Sequence, residues 1–255
     1  MPVLFEYLWL LPLGFAAGVI GSMVGLGGGF VIVPILTFFG FSPPLAASDS
    51  LFAAFSNAVA STISYAKQKR IQYSIGLKLG LLSIPGTIVG ALISDVITSS
   101  LFKILFGIVL LASSIYIFSK RRIHPTEYRL SKQIMVLSVA ASFFAGIISS
   151  LFGIGGGTVF VPLMVIAIGL SMKLAAPTSQ FILLFASASG MIAHALLGHP
   201  EFYQALFLSV GSFAGGIAGS RLSLKVEEKK LRIIVTIVLV IASIKLFIDS
   251  LGGPF

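Results

Sequence analysis

Residues 14–36 read GFAAGVIGSMVGLGGGFVIVPIL, and residues 142–164 read SFFAGIISSLFGIGGGTVFVPLM. At one constant spacing Gly18, Gly25, Gly27–Gly29 and Pro34 correspond to Gly146, Gly153, Gly155–Gly157 and Pro162. An internal duplication of this kind predicts a chain built from two structural repeats. In each copy the three adjacent glycines interrupt an apolar segment, which is the pattern of a broken membrane helix.

The duplication continues beyond the glycine-rich stretches. FSPPLAASDSLF at residues 41–52 corresponds to LSMKLAAPTSQF at residues 170–181. Each half contains about four apolar segments, and the first segment of each half is the one broken at GGG. We therefore divide the chain into a first repeat, residues 1–120, a cytoplasmic linker, residues 121–131, and a second repeat, residues 132–255.

The composition is that of a membrane protein. The chain is 57% hydrophobic and 10% charged, whereas soluble domains are about 25% charged. Several stretches approach the roughly 20 apolar residues needed to cross a bilayer. We expect an all-α polytopic protein with 8–10 membrane segments in the plasma membrane of a prokaryote. The net charge of +9 does not indicate nucleic acid, because the basic residues lie in short loops where they set membrane orientation.

The two glycine-broken segments are too long for single crossings. They lie in the apolar stretches 7–40 and 132–170. A helix of about 34 residues would be about 50 Å long, against a hydrocarbon core of about 30 Å. Three adjacent glycines each cost about 1 kcal/mol relative to alanine in a helix. We expect each segment to fold back, either as a hairpin of two crossings or as a re-entrant pair of half-helices.

The distribution of lysine and arginine predicts the orientation. If both broken segments fold back, the basic loop Lys67–Arg70, the linker 121–131 and the cluster Arg221–Arg232 all fall on one side, which is then cytoplasmic. The N- and C-termini are then outside. The loop that corresponds to Lys67–Arg70 in the second half is Gly198–Glu201, which is not basic. Equivalent loops therefore carry opposite charge bias, which predicts inverted repeats related by a two-fold axis in the membrane plane.

The helix breaks are the first candidate substrate site. A helix that begins at GGG exposes unpaired N–H groups and the positive end of its dipole, where an anion can bind. The alternative is that the glycines only permit close helix packing, which is the role we expect for Gly14, Gly18, Gly86 and Gly90. The candidate residues of this group are Gly27, Gly28, Gly29, Gly155, Gly156, Gly157 and Thr158.

Polar residues that follow the breaks complete the candidate substrate site. Asp49 and Ser50 correspond to Thr178 and Ser179, and Asn57 and Gln180 are further hydrogen-bonding residues in apolar helices. An aspartate within a membrane segment is costly unless it faces a cavity or a partner. Asp49 therefore carries a coupling proton or pairs with a cation, or it is the N-cap of its helix after Pro43–Pro44. No cofactor, metal site or catalytic group is expected.

Two histidines lie close to each other in the second half. His194 is in an apolar helix, and we expect it to be a packed or interfacial residue. His199 is in the loop that follows, where we expect it to be solvated.

The paired G-x-x-x-G-x-x-x-x-x-x-G-x-GGG-x-x-x-x-P segments, with the A-A-x-x-S-x-F stretches that follow, resemble the sulfite exporter TauE/SafE family of membrane transporters. The resemblance extends from about Gly14 to Phe247. It implies transport of a small sulfur-containing anion such as sulfite, thiosulfate or an organosulfonate. In that family this stretch usually resembles a small residue, Thr and Ser, so Asp49 departs from the pattern.

Secondary transport is the function that a duplicated chain with broken helices indicates. Export of an anion from a cell with a negative interior gains about 2.3 kcal/mol per charge per 100 mV. Uptake of another small anion, such as a carboxylate, stays open as an alternative. An intramembrane hydrolase is disfavoured, because Ser189–Gly190 and His194 have the wrong spacing for a serine protease pair and Asp49 is a single intramembrane aspartate. The expected partners are the small anion and the lipid bilayer, with a homodimer left open and no nucleic acid.

Overall fold

The computed structural model describes residues 7–119 and 132–251, and every regular element in those ranges is an α-helix. The linker, residues 121–131, lies outside the described residues. The prediction of an all-α chain is confirmed. The first half contains α1 (Leu10–Val24), α2 (Gly29–Phe38), α3 (Pro43–Lys67), α4 (Tyr73–Val96) and α5 (Ser99–Ser119), and the second half contains α6 (Lys132–Leu151), α7 (Gly157–Ile166), α8 (Met172–Leu196), α9 (Phe202–Leu222) and α10 (Glu228–Leu251).

In the described part of the chain, four helices, α4, α5, α8 and α9, are long and apolar enough to cross a membrane. Large apolar side chains cover their outer faces, for example Val96, which is 82% exposed, and Leu196, which is 84% exposed. A hydrocarbon environment is the one in which such surfaces need no partner. The protein is therefore a multi-pass membrane protein.

Both broken segments fold back. With 15 residues in α1 and 10 in α2, these helices are about 22 Å and 15 Å long, so neither crosses the core alone. The rings of Trp9, before α1, and Phe39, after α2, lie 4.9 Å apart, so the two outer ends meet at one face. In the second half, Ser138 of α6 and Ile168 after α7 line one small cavity. The predicted fold-back is confirmed in both halves. Both helices of the first segment are too short to cross the core, whereas α6 of the second segment has 20 residues, which is long enough to cross it.

Helices at corresponding positions of the two halves exchange packing partners. The broken helix α1 of the first half packs on α9 of the second, and α6 of the second half packs on α4 of the first. Helices α3 and α8 pack on each other. In addition, α3 packs on α9 and α8 packs on α4. Helices α5 and α10 form a separate pair at the periphery. Each half therefore completes its packing with elements of the other.

Glycines permit these helix crossings. A Cβ built on Gly86 would lie 2.0 Å from the carbonyl oxygen of Phe143, and one built on Gly14 would lie 2.4 Å from the carbonyl oxygen of Leu208. Such contacts put backbone against backbone, as small-residue motifs do in membrane helices. The packing role predicted for Gly14, Gly18, Gly86 and Gly90 is confirmed.

Candidate functional site

The two glycine breaks meet at the centre of the molecule. A Cβ on Gly29 would lie 2.0 Å from the carbonyl oxygen of Gly153, and one on Gly157 would lie 2.3 Å from the carbonyl oxygen of Gly25. The backbone of each break therefore touches the backbone of the other, and only glycine fits at the contact. The two breaks are therefore in direct contact rather than separated by a cavity.

Backbone conformation accounts for three further glycines. Gly27, Gly155 and Gly156 have φ angles of 73°, 69° and 82°, which only glycine adopts readily. Leu183 covers both Gly27 and Gly155 from the same side. Gly28 is different: its φ is −84°. A Cβ there would meet Ala17 at 3.3 Å, a tight contact that a side chain at this position could relieve only if Ala17 moved by a few tenths of an ångström.

The amides of the breaks lack acceptors. In the described residues, neither backbone nor side-chain acceptors receive a hydrogen bond from the N–H groups of Gly27–Gly29 or Gly155–Gly157. Helices α2 and α7 begin here, so two positive helix ends lie close together. Uncompensated N–H groups at helix N-termini are a ready-made site for an anion.

Two serine side chains, one in each half, donate hydrogen bonds to the helix break of the opposite half. The Ser50 hydroxyl donates to the carbonyl oxygen of Gly153 at 2.7 Å, and the corresponding Ser179 donates to the carbonyl oxygen of Gly25 at 2.6 Å. The amide nitrogen of Gln180 donates to the carbonyl oxygen of Gly21 at 2.9 Å. Because these bonds run from α3 and α8 to opposite breaks, a movement of either helix moves the break of the other half.

Four of the predicted site residues have a buried polar atom that makes no hydrogen bond to the described part of the protein. Buried polar side chains normally have a partner, so an unpaired group marks a place where a ligand can supply one. The side chains are fully buried except for that of Thr158, which is 2% exposed. The unpaired atoms are Oδ2 of Asp49, Nδ2 of Asn57, Oγ1 of Thr158 and Oε1 of Gln180.

Asp49 holds a loop rather than its own helix. Its Oδ1 accepts a hydrogen bond from the backbone N–H of Glu201 at 3.1 Å. The corresponding Thr178 accepts one from the backbone N–H of Gln72 at 3.0 Å. The alternative in which Asp49 is an N-cap is wrong, because α3 begins six residues earlier with Ser42 at its N-cap. The first bond places the start of α3 beside the end of α8, and the second places the start of α8 beside the end of α3. These two equivalent helices are therefore antiparallel.

One end of the α3–α8 pair is covered by a group that we call the Tyr–Arg closure, residues Tyr65, Arg70 and Ser223. The Tyr65 hydroxyl donates to the carbonyl oxygen of Ser22 at 2.8 Å. The Arg70 guanidinium donates to Ser223 Oγ at 3.0 Å and lies 5.3 Å from the centre of the Tyr65 ring. Partial burial lowers the pKa of Arg70 from its ordinary value, and the neighbouring Tyr65 acts in the opposite direction.

The opposite end is covered by a second group, the His–Asp closure, residues His194, His199 and Asp95. His194 Nε2 lies 3.0 Å from the carbonyl oxygen of Ser150, and His194 Nδ1 lies 2.8 Å from His199 Nδ1. His199 Nε2 lies 2.9 Å from Asp95 Oδ1. The expectation of a solvated His199 is wrong, since its side chain is only 8% exposed.

Gly198 explains how His199 reaches His194. Its φ of 76° reverses the chain after α8, and the backbone N–H of His199 then donates to the carbonyl oxygen of His194 at 3.1 Å. This is the glycine-terminated helix end that commonly closes helices. The HALLGH segment carries this signal, which the sequence analysis missed.

Two clefts lie at corresponding positions beside the closures, and they differ in chemistry. The cleft of about 340 Å³ between α3 and α9 is lined by Lys67, Gln68 and Arg221 together with apolar residues. The cleft of about 350 Å³ between α4 and α8 has leucines at the corresponding positions, including Leu92 and Leu196. A basic cleft therefore lies at the end of the Tyr–Arg closure, and an apolar one at the end of the His–Asp closure.

Comparisons with known proteins agree with this architecture. The family model described as sulfite exporter TauE/SafE matches residues 10–246. The chain is 32% identical to the "Probable membrane transporter protein YunE" of Bacillus subtilis (strain 168), over 96% of this chain and 99% of the relative. It is also 32% identical to the "Probable membrane transporter protein MJ0441" of Methanocaldococcus jannaschii, over 92% and 94%.

More distant relatives have the same description. The chain is 24% identical to the "Probable membrane transporter protein YfcA" of Escherichia coli (strain K12), over 98% of this chain and 92% of the relative. No solved structure matches the chain. A family match over nearly the whole chain and relatives of the same length settle the classification. The chain belongs to the TauE/SafE sulfite exporter family of membrane transporters.

Proposed function

We propose that the protein exports a small sulfur-containing anion, such as sulfite, thiosulfate or an organosulfonate, by alternating access between two inverted halves. The observation that carries the proposal is a pair of crossed helix breaks between two equivalent closures, together with buried polar atoms on α3, α7 and α8 that make no hydrogen bond to the described residues. A site that is buried from both faces, between two separate closures, is what alternating access requires of an occluded state.

The anion binds beside the contact between the two breaks, at the N-terminal ends of α2 and α7. The unpaired amides of Gly27–Gly29 and Gly155–Gly157 supply donors at two helix N-termini. Nδ2 of Asn57 and the hydroxyl of Thr158 are additional free donors. Oδ2 of Asp49 is an acceptor, so it either carries a proton or pairs with a cation when the anion is bound.

Access alternates because the closures are equivalent. Release of the bond between Thr178 and Gln72, with the Tyr–Arg closure, uncovers the site from one end, and release of the bond between Asp49 and Glu201 uncovers it from the other. The two repeats, residues 1–120 and 132–255, then exchange conformations about a two-fold axis in the membrane plane. The exchanged packing partners and the antiparallel α3 and α8 support this inverted arrangement.

The basic cleft gives the direction. Lys67, Arg70 and Arg221 lie at the end of the Tyr–Arg closure, and the positive-inside rule makes this end cytoplasmic with both termini outside. Cationic side chains at the cytoplasmic mouth attract anions from the cell interior. Outward movement of one negative charge then gains about 2.3 kcal/mol per 100 mV of membrane potential.

Flux into and out of proteoliposomes tests the proposal. We expect saturable transport of at least one of sulfite, thiosulfate and an organosulfonate, and little transport of a carboxylate of similar size. Carboxylate transport without transport of any sulfur anion would contradict the substrate class and favour the carboxylate alternative. Failure of all four anions to move would contradict the transported class as a whole.

A matched pair of variants tests the site. Thr158→Val removes an unpaired hydroxyl without removing any internal hydrogen bond, and Thr62→Val does the same on α3 away from the breaks. A hydrogen bond to a charged ligand contributes about 1.5–3 kcal/mol, so Thr158→Val should weaken apparent affinity about tenfold or more. Thr62→Val should behave as the parent. Equal affinities for the two variants would remove Thr158 from the site.

A further inference from the structure

The His–Asp closure contains titratable groups where its counterpart contains none that titrates near neutral pH. We propose that Asp95, His199 and His194 form a proton-binding site that latches the α8–α9 loop, residues 197–201, over the substrate site, and that loss of one proton releases the loop. The role of this loop as a gate rests on the proposed transport function. The proton site itself follows from hydrogen-bond geometry.

All three contacts of the His–Asp closure can be hydrogen bonds only if the closure holds one proton more than two neutral histidines and one carboxylate hold. The carbonyl oxygen of Ser150 only accepts, so His194 Nε2 must carry a hydrogen. In neutral His194, Nδ1 is then an acceptor, and the hydrogen between the rings must belong to His199 Nδ1. An ionised Asp95 also only accepts, so His199 Nε2 must carry a hydrogen as well. In this arrangement of the hydrogens, His199 is a cation paired with the Asp95 carboxylate.

Other placements of the hydrogens give the same total. A protonated Asp95 can donate to a neutral His199, or His194 can be the cation and donate to His199 Nδ1. Each arrangement holds one proton beyond two neutral histidines and one carboxylate. Without that proton, one of the three contacts sets two acceptors against each other at 2.8–3.0 Å, which is repulsive.

The proton exchanges with solvent through Asp95. Its side chain is 51% exposed, whereas His194 is fully buried. On release, the proton passes from the Asp95–His199 pair to water. Among the described residues, the other ionisable groups that face the loop are Asp49 on α3 and Glu201 at the start of α9, which contact each other through the Glu201 backbone N–H. The described part of α6 contributes the Ser150 carbonyl.

The latch covers the substrate site because the loop has two anchors. His199 attaches it to α4 and α8, and the N–H of Glu201 attaches it to Asp49. Phe202, the first residue of α9, packs its ring against Phe52 of α3 at 6.0 Å. When the His199 anchor is lost, Asp49 is covered by a segment held at one end only.

The corresponding Tyr–Arg closure has its side chains at equivalent positions, but they are tyrosine and arginine instead of histidines. The Tyr65 hydroxyl donates to the Ser22 carbonyl as His194 does to the Ser150 carbonyl, and Arg70 occupies the position of His199. Arg70 contacts neutral Ser223 rather than a carboxylate. Tyrosine and arginine ordinarily titrate at about pH 10 and above, so this end does not respond to pH in the range in which histidine does. Proton control is therefore confined to one end.

Cysteine accessibility tests the latch, because the natural chain contains no cysteine. Ser48 is fully buried, precedes Asp49 and lies one helical turn before Phe52, beneath the loop. We would measure the rate at which a hydrophilic thiol reagent modifies detergent-solubilised Ser48→Cys. The exposed Ser99→Cys reports the reagent's own pH dependence. Because one proton is released, the corrected rate should rise about tenfold per pH unit while the closed form predominates.

Two further substitutions, each made in the Ser48→Cys background, should respond in opposite ways. An asparagine at position 95 can donate to His199 Nε2, which satisfies all contacts without the extra proton. Asp95→Asn should therefore keep the introduced thiol slow to react and independent of pH. His199→Leu removes the latch and should make the same thiol react fast at every pH. A corrected rate without pH dependence in Ser48→Cys alone, or an Asp95→Asn profile equal to it, would overturn the proposal.

Labelling is measured without substrate, so its outcome is independent of the transport assay. If Ser48→Cys does not fold, the pH profile of flux in the cysteine-free chain replaces it. The parent should then show a pH dependence with a slope of about one decade per unit, which Asp95→Asn abolishes. Identical profiles for the two proteins, with transport intact, would overturn the latch while leaving the transport function in place.

Discussion

Gly29→Ala is the sharpest test of the crossed breaks. The new methyl group would lie 2.0 Å from the carbonyl oxygen of Gly153 and 2.6 Å from Cα of Ile154. Both obstacles are backbone atoms, so no side chain can rotate away. Gly29 itself has no left-handed φ angle, which means that the effect of the substitution is one of space alone.

The required displacement can be read from the same distances. Ordinary contact with a Cβ begins at 3.4 Å, so the two breaks must separate by about 1.4 Å at this point. Overpacking of a well-packed interior costs about 1–3 kcal/mol, and a rigid backbone obstacle puts the cost near 3 kcal/mol. On the scale of chains of 150–250 residues, that loss lowers the unfolding midpoint by about 6–12 °C.

Thermal unfolding of the purified protein in detergent measures this cost, and proteoliposome flux measures its effect on transport. We expect a lowered midpoint and strongly reduced flux. Gly40→Ala is the matched control, because Gly40 has a φ of 85° and no heavy atom within 4 Å of a built Cβ. In that variant the free energy of unfolding should fall by only about 1–2 kcal/mol, the cost of placing alanine in a left-handed conformation, and the flux should be unchanged. Equal midpoints for the parent and Gly29→Ala would refute the contact between the breaks.

Three further predictions concern the closures and the orientation. Tyr65→Phe leaves the buried carbonyl of Ser22 without its donor, which should cost about 1–3 kcal/mol in thermal unfolding; an unchanged midpoint would contradict the Tyr–Arg closure. Asp49→Asn keeps the acceptor for the Glu201 N–H and should unfold at the same temperature as the parent. Asp49→Leu removes the acceptor and should lower the free energy of unfolding by about 1–3 kcal/mol. Equal unfolding midpoints for the two variants would show that the hydrogen bond contributes nothing to stability. An impermeant reagent should modify Gln68→Cys and Val226→Cys only from the cytoplasmic side and Ser99→Cys only from outside, and any other distribution would contradict the orientation.

The helices and their breaks could be predicted because they depend on local composition. The stretch 72–94 is predominantly apolar, with Lys78 as its one charged residue, and is long enough to predict a crossing; the structure has the helix Tyr73–Val96 there. The GGG segments break their helices because glycine costs the most helix stability where several occur together. The fold-back followed from length, since a segment such as 7–40 cannot be accommodated as one straight crossing.

The closures could not be predicted from local patterns. Tyr65 and Ser22 are 43 residues apart in sequence, and His194 and Ser150 are 44 apart. Which carbonyl a buried hydroxyl or imidazole reaches depends on how four helices pack, and no periodicity encodes that. His199 shows the same limit, because a loop position indicated solvent, whereas Gly198 turns the side chain back against α8.

The candidate site was only partly accessible to sequence reasoning. The sequence indicated GGG as one group, yet its members differ in structure: Gly29 is required by a close approach, Gly27 by its φ angle, and Gly28 by neither. That distinction depends on backbone coordinates. Ser50 and Ser179 were identified through the duplication, but their bonds to opposite breaks arise from the crossing of the two halves.

The duplicated backbone and the diverged side chains have separate consequences for transport. If the halves were identical, the inward- and outward-open forms would be equal in energy, because each would be the other viewed from the opposite face. Where corresponding residues differ, their contacts can stabilise one form more than the other. The equilibrium between the two forms then shifts by that difference in free energy. Arg70 in place of His199 is a difference within the closures, and Thr178 in place of Asp49 is a difference in the bonds that hold the loops beside them. A bias that depends on one proton changes the ratio of the two forms about tenfold per pH unit. In our proposal the His–Asp closure therefore makes the exposure of the site depend on external pH, while the Tyr–Arg closure keeps a fixed bias on the side from which the anion enters.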